Sequence, residues 1–176
     1  IEEYLVGATK ELSPGDPVSI GAFLVAAHRD PAFTWDPTQV TVEGFAPMWE
    51  QIDTWQDTRD FQLMYLHWVL ALADGKTKAT TLDPKVIDAI EQRMVDNRYR
   101  WDDPLPKDRV DDQWFWSENH SVIGLVNEYL AGMRMPDRTF TVTGLKGSEH
   151  AKRSKQPILD WVAERGLAAD DPLTYV

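Results

Sequence analysis

The pattern of apolar and polar residues along the chain predicts a helical protein. Apolar residues dominate 19–27 (SIGAFLVAA) and 61–72 (FQLMYLHWVLAL), and both runs stop at turn signals, Asp30-Pro31 and Asp74-Gly75. The second run is apolar on nearly every side of a helix, which is typical of a helix buried in a larger helical assembly. We place this helix within 48–73, with its best-defined part beginning at Asp57.

Capping residues mark the beginnings of two more helices. Asp83, followed by Pro84 at the first helical position, predicts a one-sided outer helix that ends near Asn97. Ser117 predicts a second N-cap, with the helix behind it running to Met133.

The remaining segments give weaker signals. Residues 1–10 are expected to be the end of a helix, and the alternation in 138–143 favours a strand or an extended loop. After the glycines of 144–147 a last helix is expected, kinked or restarted at Pro157 and ending at Gly166. The chain is therefore predicted to be all-α, with residues 1–176 forming a single helical domain.

The helix after Ser117 carries two occupied faces, which predicts a buried helix. At about 100° per residue, Asn119 shares a face with an apolar stripe. The members of that stripe are Val122, Val126, Leu130 and Met133. His120 falls on another face with Gly124, Asn127 and Ala131, whose small residues leave space for a neighbouring helix or a ligand.

Charge and composition exclude several classes of function. A net charge of −11 argues against nucleic acid as a partner, because phosphate binding requires a basic surface. The absence of cysteine excludes disulfides, thiol catalysis and thiolate metal sites. No segment approaches the roughly 20 apolar residues that span a bilayer, and the apolar run 18–27 is too short and wrongly flanked for a signal peptide.

The candidate chemistry lies in the segment 114–120 (WFWSENH), where aromatic, carboxylate, amide and imidazole side chains crowd together. One interpretation is a capped core helix whose first-turn polar groups satisfy local backbone. The other is a functional site, which the two tryptophans before the cap favour, since flat aromatic rings stack on sugars and eight tryptophans is a high number for this length. If the segment is a functional site, Glu118, Asn119 and His120 are the candidate catalytic residues.

Three other clusters have competing interpretations. The aspartate-rich loop 99–112 suggests calcium, but its spacing is not that of an EF-hand and favours a solvated acidic loop. The basic cluster of Lys152, Arg153 and Lys155 either attracts an anionic sugar or forms a solvated turn. Asp60 and His67, a heptad apart, either line a cavity or, as we favour, belong to a hydrogen-bonded core. The four histidines show no zinc-binding spacing, so we expect neither a metal nor a cofactor.

The stretch Trp116-Ser117-Glu118-Asn119-His120 resembles the Trp-Ser/Thr-Glu-Asn-His motif of a bacterial family whose members mostly lack an assigned activity. The segments 99–104 (YRWDDP), 128–132 (EYLAG) and 144–165 are similar to further parts of that family's pattern, so the resemblance runs from about Asp60 to Arg165. Residues 168–176 depart from it.

The resemblance implies antiparallel helical hairpins that form part of an α/α toroid, the architecture of chondroitin, heparin and alginate lyases. A toroid needs more helices than this chain supplies, so the resemblance implies a portion of a larger fold. It also implies a secreted or cell-envelope location, with the cytoplasm as the alternative.

The leading candidate function is a polysaccharide lyase acting on uronic-acid-containing glycans. Asn119 would bind the carboxylate and His120 would serve as base, with Tyr65 or Tyr129 as proton donor. The predicted substrate-binding residues are Trp101, Trp114, Trp116, Asn127, His150 and Arg153. A glycoside hydrolase built on Glu118 and an aspartate is the second enzyme class. The alternative is a non-catalytic glycan-binding or structural helical domain of the cell envelope.

Overall fold

The computed structural model describes residues 9–168, with side chains to residue 165, and this part of the chain is helical. The six α-helices are α1 Pro17–Arg29, α2 Ala46–Asp53, α3 Arg59–Leu72, α4 Pro84–Asp96, α5 Glu118–Arg134 and α6 Gly147–Ala168. Three short 3-10 turns lie at Pro37–Gln39, Glu43–Phe45 and Lys78–Thr80. The described residues form no strand, so the all-α prediction is confirmed. The helix end predicted for 1–10 falls largely outside the described residues.

Local capping explains where three of the helices begin. Asp83 accepts a hydrogen bond from the backbone N–H of Lys85 at 2.8 Å, and Ser117 accepts one from His120 N–H, so both predicted N-caps are confirmed. α1 begins two residues earlier than predicted, because Asp16 caps it and accepts from Val18 N–H.

The apolar region 48–73 contains two helices, separated by residues 54–58. Trp55 and Thr58 have φ angles of 57° and 65°, a left-handed conformation that a β-branched threonine rarely adopts. The side chain of Gln51 supports this turn by donating to Asp57 O at 2.8 Å and to Thr58 Oγ1 at 2.7 Å. The chain therefore turns sharply before α3 begins.

The hydrophobic core lies around α3. Its buried members come from all helices except α6 and from the loops, and include Ile20, Leu24, Phe45, Trp49, Leu63, Leu66, Ile90, Met94, Ala131 and Phe140. α3 was predicted to be buried on nearly every side, and in this it differs: Trp68 packs on Gly21 of α1, but the residue is 40% exposed.

α5 and α6 form an antiparallel hairpin. Gly132 near the end of α5 lies against Gly147 and Ala151 at the start of α6. At the other end, Glu118 accepts a hydrogen bond from Trp161 Nε1 at 3.0 Å. Gly132 thus permits the close approach of α6. On the predicted face of small residues, Gly124 lies instead against the backbone of Tyr99.

The apolar stripe of α5, by contrast, is exposed at its C-terminal end, while Val122 and Val126 are partly buried. Leu130 is 40% exposed and Met133 is 58% exposed, and Asn119 on the same face is exposed too. The buried face is formed instead by polar and small residues: His120, Gly124, Asn127, Glu128, Ala131 and Gly132. The prediction of a helix buried on both faces is therefore wrong. The buried side contacts α3 through His120 and Asn127 and contacts α6 through Gly132, which leaves the end of the apolar stripe uncovered.

The segment 138–143 forms neither a strand nor a fully extended loop. It has one isolated bridge between Thr139 and Lys146, and residues 141–143 form a turn closed by a hydrogen bond from Gly144 N–H to Phe140 O at 2.8 Å. Phe140 N–H donates to Leu145 O at 2.8 Å, and the Phe140 ring is buried. α6 continues through Pro157 and reaches Ala168, so of the two predicted alternatives the restart at the proline is excluded, and the end predicted at Gly166 is wrong. None of the described helices combines the length and apolar character needed to cross a membrane.

Candidate functional site

The segment that carries the Trp-Ser-Glu-Asn-His motif lies at the start of α5, beside the turn that precedes α3. Asp57 holds it there, because one carboxylate oxygen accepts from Trp114 N–H at 2.9 Å. Ser117 then begins α5 and places His120 in the first turn of the helix. The first turns of α3 and α5 meet at this point.

An imidazole–carboxylate pair joins the two helices. His120 Nδ1 lies 2.8 Å from Oδ2 of Asp60, and both residues are buried. An ionised carboxylate only accepts hydrogen bonds, so Nδ1 carries a proton in this arrangement. In the neutral ring Nε2 is then an acceptor, and among the described residues it has no hydrogen-bond partner.

The side-chain amide of Gln113 also contacts this ring. Its nitrogen is placed 2.8 Å from His120 Nδ1, but two donors cannot share one hydrogen bond. The oxygen and nitrogen of an amide exchange places by a 180° rotation. The Gln113 oxygen is a buried atom without a partner, and the rotation turns it toward the Nδ1 proton. The rotation gives up a long contact, 3.5 Å, between the Gln113 nitrogen and Asp57 Oδ1.

The hollow next to His120 is small. It has room for water-sized contents of about 10 Å³, which is about one water molecule and far less than a sugar ring. The residues that line it include Arg59, Asp60, Gln113, His120 and Asn127. His120 therefore lies at a nearly closed site, only 9% exposed.

Three tryptophans from the α5 cap segment and the loop before it are exposed on the surface. Trp101, Trp114 and Trp116 are 60%, 59% and 71% exposed, and we refer to them as the tryptophan surface. The rings of Trp101 and Trp116 contact each other, with centroids 5.6 Å apart and planes inclined by 34°. Residues from the loop after α4 and from the α5 cap thus form one aromatic surface.

The remaining first-turn residues of the motif point elsewhere. Asn119 is exposed, and its side-chain oxygen accepts from Ser117 Oγ at 2.6 Å. Glu118 is half exposed and bonds to Trp161 Nε1 and, at 2.5 Å, to the guanidinium of Arg165. The structure therefore brings Glu118 to α6 and does not converge Glu118, Asn119 and His120 on one point.

Of the other predicted substrate-binding residues, Asn127 and His150 are buried. Asn127 donates to Asp60 O at 2.8 Å. His150 lies between Glu128 Oε1 at 2.6 Å and Thr143 Oγ1 at 2.7 Å. Arg153 is partly exposed and pairs with Glu128 and with Asp103.

Sequence reasoning missed a buried ionic cluster. Arg59 is fully buried and bonds to both oxygens of Asp111, while Arg98 bonds to the second of these oxygens at 2.9 Å. Burial lowers the pKa of Arg59, and the hydrogen bond to Asp111 opposes that shift. The prediction of a solvated acidic loop is wrong for Asp103 and Asp111, because both carboxylates are buried against arginines.

Within the described chain, no group of three or more histidine, aspartate or glutamate side chains is arranged to hold a metal ion. Comparisons of the chain with known protein families, with curated proteins and with solved structures gave no match.

Proposed function

We propose that the protein binds polysaccharide through the tryptophan surface. The observation that carries this proposal is the exposure of three large indoles in one region, two of them in contact with each other. Full burial of a large apolar side chain stabilises a protein by roughly 1.5–3 kcal/mol. Because each of these rings is mostly exposed, most of this free energy is available for binding a partner. Contiguous exposed aromatic groups of this kind mark binding sites, and flat rings match the faces of sugars.

The charges beside the tryptophan surface favour a neutral glycan. Arg100 pairs with Asp102 next to Trp101, and Glu118 pairs with Arg165 next to the α5 cap. A net charge of −11 for the whole chain repels polyanions at long range. We therefore expect binding that changes little with salt, in contrast to the steep dependence of an electrostatically held polymer.

A glycan panel read by calorimetry tests this proposal. Trp101→Ala and Trp116→Ala should each weaken binding roughly tenfold, the effect of losing about 1.4 kcal/mol of stacking. Leu105→Ala and Val110→Ala are the matched controls, because both side chains are exposed and apolar in the same loop but not flat, and they should bind like the parent. Absence of binding across neutral and acidic glycans, or tryptophan variants that bind normally, would refute it.

A second candidate is the lyase reaction, favoured by the Asp60–His120 pair. Asp60 fixes the proton on Nδ1 and leaves Nε2 as a potential base for a sugar C5 proton. The hollow beside it admits no sugar, so elimination requires movement of the segment that contains Gln113 and Phe115. Release of unsaturated uronate from a substrate panel, lost in His120→Ala, would establish this reaction. Glycan binding without product would leave the binding function alone.

The resemblance to toroidal proteins leads us to propose also that α1–α6 form part of a larger α/α toroid in a secreted or envelope protein. A groove on α3 and α5 supports this extension, because its apolar lining includes the exposed Trp68, Leu130 and Met133. A neighbouring hairpin would cover these side chains. A crystal structure of the intact gene product with this groove open to solvent would contradict the toroid.

A further inference from the structure

Three of the residues that line the hollow beside His120 each carry a buried side-chain oxygen without a partner. These oxygens are Asp60 Oδ1, Asn127 Oδ1 and Gln113 Oε1. A buried polar atom left unsatisfied costs about 1–3 kcal/mol, so native proteins rarely leave several together. The hollow therefore has the chemistry of a binding site for a small polar ligand.

The orientation of the Gln113 amide decides which ligand fits. With three oxygens facing it, the hollow would suit a cation. With the Gln113 oxygen turned toward the Nδ1 proton of His120, the amide nitrogen takes its place, and the hollow presents two acceptors and one donor. The positively charged Arg59 and Arg98 are also among the residues that line the hollow, and their charge disfavours a cation there.

We propose that this hollow is a binding site for one structural water molecule. The water donates hydrogen bonds to Asp60 Oδ1 and Asn127 Oδ1 and accepts one from the side-chain amide of Gln113. A volume of about 10 Å³ and three polar partners match the requirements of a buried water.

The water site makes Asn127 and Gln113 positioning residues for the Asp60–His120 pair. Asn127 already donates to Asp60 O at 2.8 Å, and through the water it also holds the carboxylate oxygen that His120 does not use. Gln113 links the water to the imidazole. Positioning of the Asp60–His120 pair matters for catalysis only if the lyase reaction proposed above takes place. The water site and the proton on His120 Nδ1 do not depend on that reaction.

Nuclear magnetic resonance of the ¹⁵N-labelled protein tests the site without any substrate. Long-range ¹H–¹⁵N spectra should show His120 protonated on Nδ1 at neutral pH, and side-chain protons of Gln113 and Asn127 should cross-relax with a long-lived water. A crystal structure at about 1.2 Å resolution should show density with three partners in the hollow. An Nε2-protonated His120, an empty hollow, or an anomalous peak after soaking with rubidium would overturn the proposal.

Two variants separate positioning from folding. Asn127→Leu should abolish the water cross-peaks and shift the His120 ring signals, because the Asp60 carboxylate loses a group that orients it. Asn127→Leu also removes the hydrogen bond to Asp60 O, so Gln113→Met serves as a milder second variant. It should abolish the water cross-peaks and shift the His120 ring signals, because the imidazole loses one of its two neighbours at Nδ1. Thr143→Val is the control: it removes a partner of another buried histidine, His150, and should leave the His120 signals unchanged. Parent-like His120 spectra in a folded Gln113→Met protein would contradict the positioning role.

Discussion

The carboxylate of Asp111 contacts two buried guanidinium groups. Oδ1 lies 2.7 Å from Arg59 Nη1 and Oδ2 lies 2.9 Å from Arg98 Nη1, while Oδ1 also accepts from Gln113 N–H at 3.1 Å. Each arginine uses its remaining donors on backbone carbonyls and Asn97, so Asp111 supplies the only carboxylate these two groups contact within the described chain. The start of α3, the end of α4 and the loop before α5 are joined through this one side chain.

Asp111→Asn should destabilise the fold by about 3–5 kcal/mol, because it leaves two buried positive charges without a counter-charge. Urea unfolding followed by tryptophan fluorescence measures the change. The matched control is Asp102→Asn in the same loop, whose exposed pair with Arg100 should contribute less than about 1 kcal/mol. Equal effects of the two substitutions would show that the burial of Asp111 is energetically unimportant.

Whether a single residue's role could be predicted depends on how far away its partner lies along the chain. Asp83 and Ser117 were predicted as caps because their partners, Lys85 N–H and His120 N–H, lie two or three residues ahead. Asp103 and Asp111 were not separated from the solvated aspartates of the same loop. Two of their partners, Arg59 of α3 and Arg153 of α6, lie about fifty positions away, and the local sequence carries no sign of them.

At the scale of elements, the α5–α6 hairpin shows why hydrophobic periodicity did not reveal that only one of the two faces of α5 is buried. Glycine and alanine add little to an apolar pattern, yet they allow backbones to approach closely. A Cβ atom built on Gly132 would lie 2.4 Å from Gly147 O and 2.6 Å from Ala151 N. The helix therefore buries the side on which it can pack most tightly and exposes Leu130 and Met133.

Gly132→Ala should destabilise the protein by roughly 1–3 kcal/mol through overpacking against the backbone of α6. The sign is diagnostic, because alanine in place of glycine inside an unconstrained helix stabilises it by about 1 kcal/mol. Thermal and urea unfolding give the measurement. Met133→Ala, at the next position but exposed, is the control and should stay within about 0.5 kcal/mol of the parent. A stabilised Gly132→Ala protein would mean that the two helices separate readily.

The contact between α3 and α5 contains a buried histidine whose charge the fold disfavours. Burial lowers the pKa of His67 to about 4 from its ordinary value, with the backbone of Asn127 opposing the shift and the charge of Arg134 adding to it. The unfolded chain binds the proton near pH 6.5 and the folded chain only near pH 4, so acid favours unfolding.

The contribution of His67 to the free energy of unfolding should therefore be complete above about pH 6.5. It should decline by up to roughly 3 kcal/mol as the pH falls toward about 4. Urea midpoints across this range, compared between the parent and His67→Gln, isolate the contribution from that of the carboxylates. The variant should show a shallower decline. Parallel curves for the two proteins would mean that His67 accepts its proton in the folded state as readily as in the unfolded one.

At the scale of the molecule, the sequence predicted which segments are helical better than how they meet. The cap at Asp83 and the apolar run of α3 are local features, and both identified real helices. The Asp60–His120 pair joins residues sixty positions apart, and Asp60 had been grouped with His67 because only spacing along one helix was visible. The exposure of the tryptophan surface likewise depends on packing, so sequence alone could not separate a platform from core filling.

The distribution of charge over the whole molecule predicts an unusual response to salt. The net charge of −11 produces long-range repulsion that opposes the compact state. The ion pairs with the best geometry, Arg59–Asp111 and Arg98–Asp111, are buried and therefore screened little by dissolved ions. Exposed pairs such as Arg100–Asp102 contribute about 0–1 kcal/mol each, and salt weakens them more strongly than the buried pairs.

Raising sodium chloride from about 0.02 M to about 0.3 M should therefore stabilise the protein, because screening reduces the repulsion more than it weakens the exposed pairs. Urea midpoints at the two concentrations measure the effect. Potassium chloride and tetramethylammonium chloride at equal ionic strength are the controls and should act alike, since screening depends on charge and not on the identity of the ion. A fall in the midpoint with salt would mean that exposed ion pairs stabilise this fold more than its net charge destabilises it.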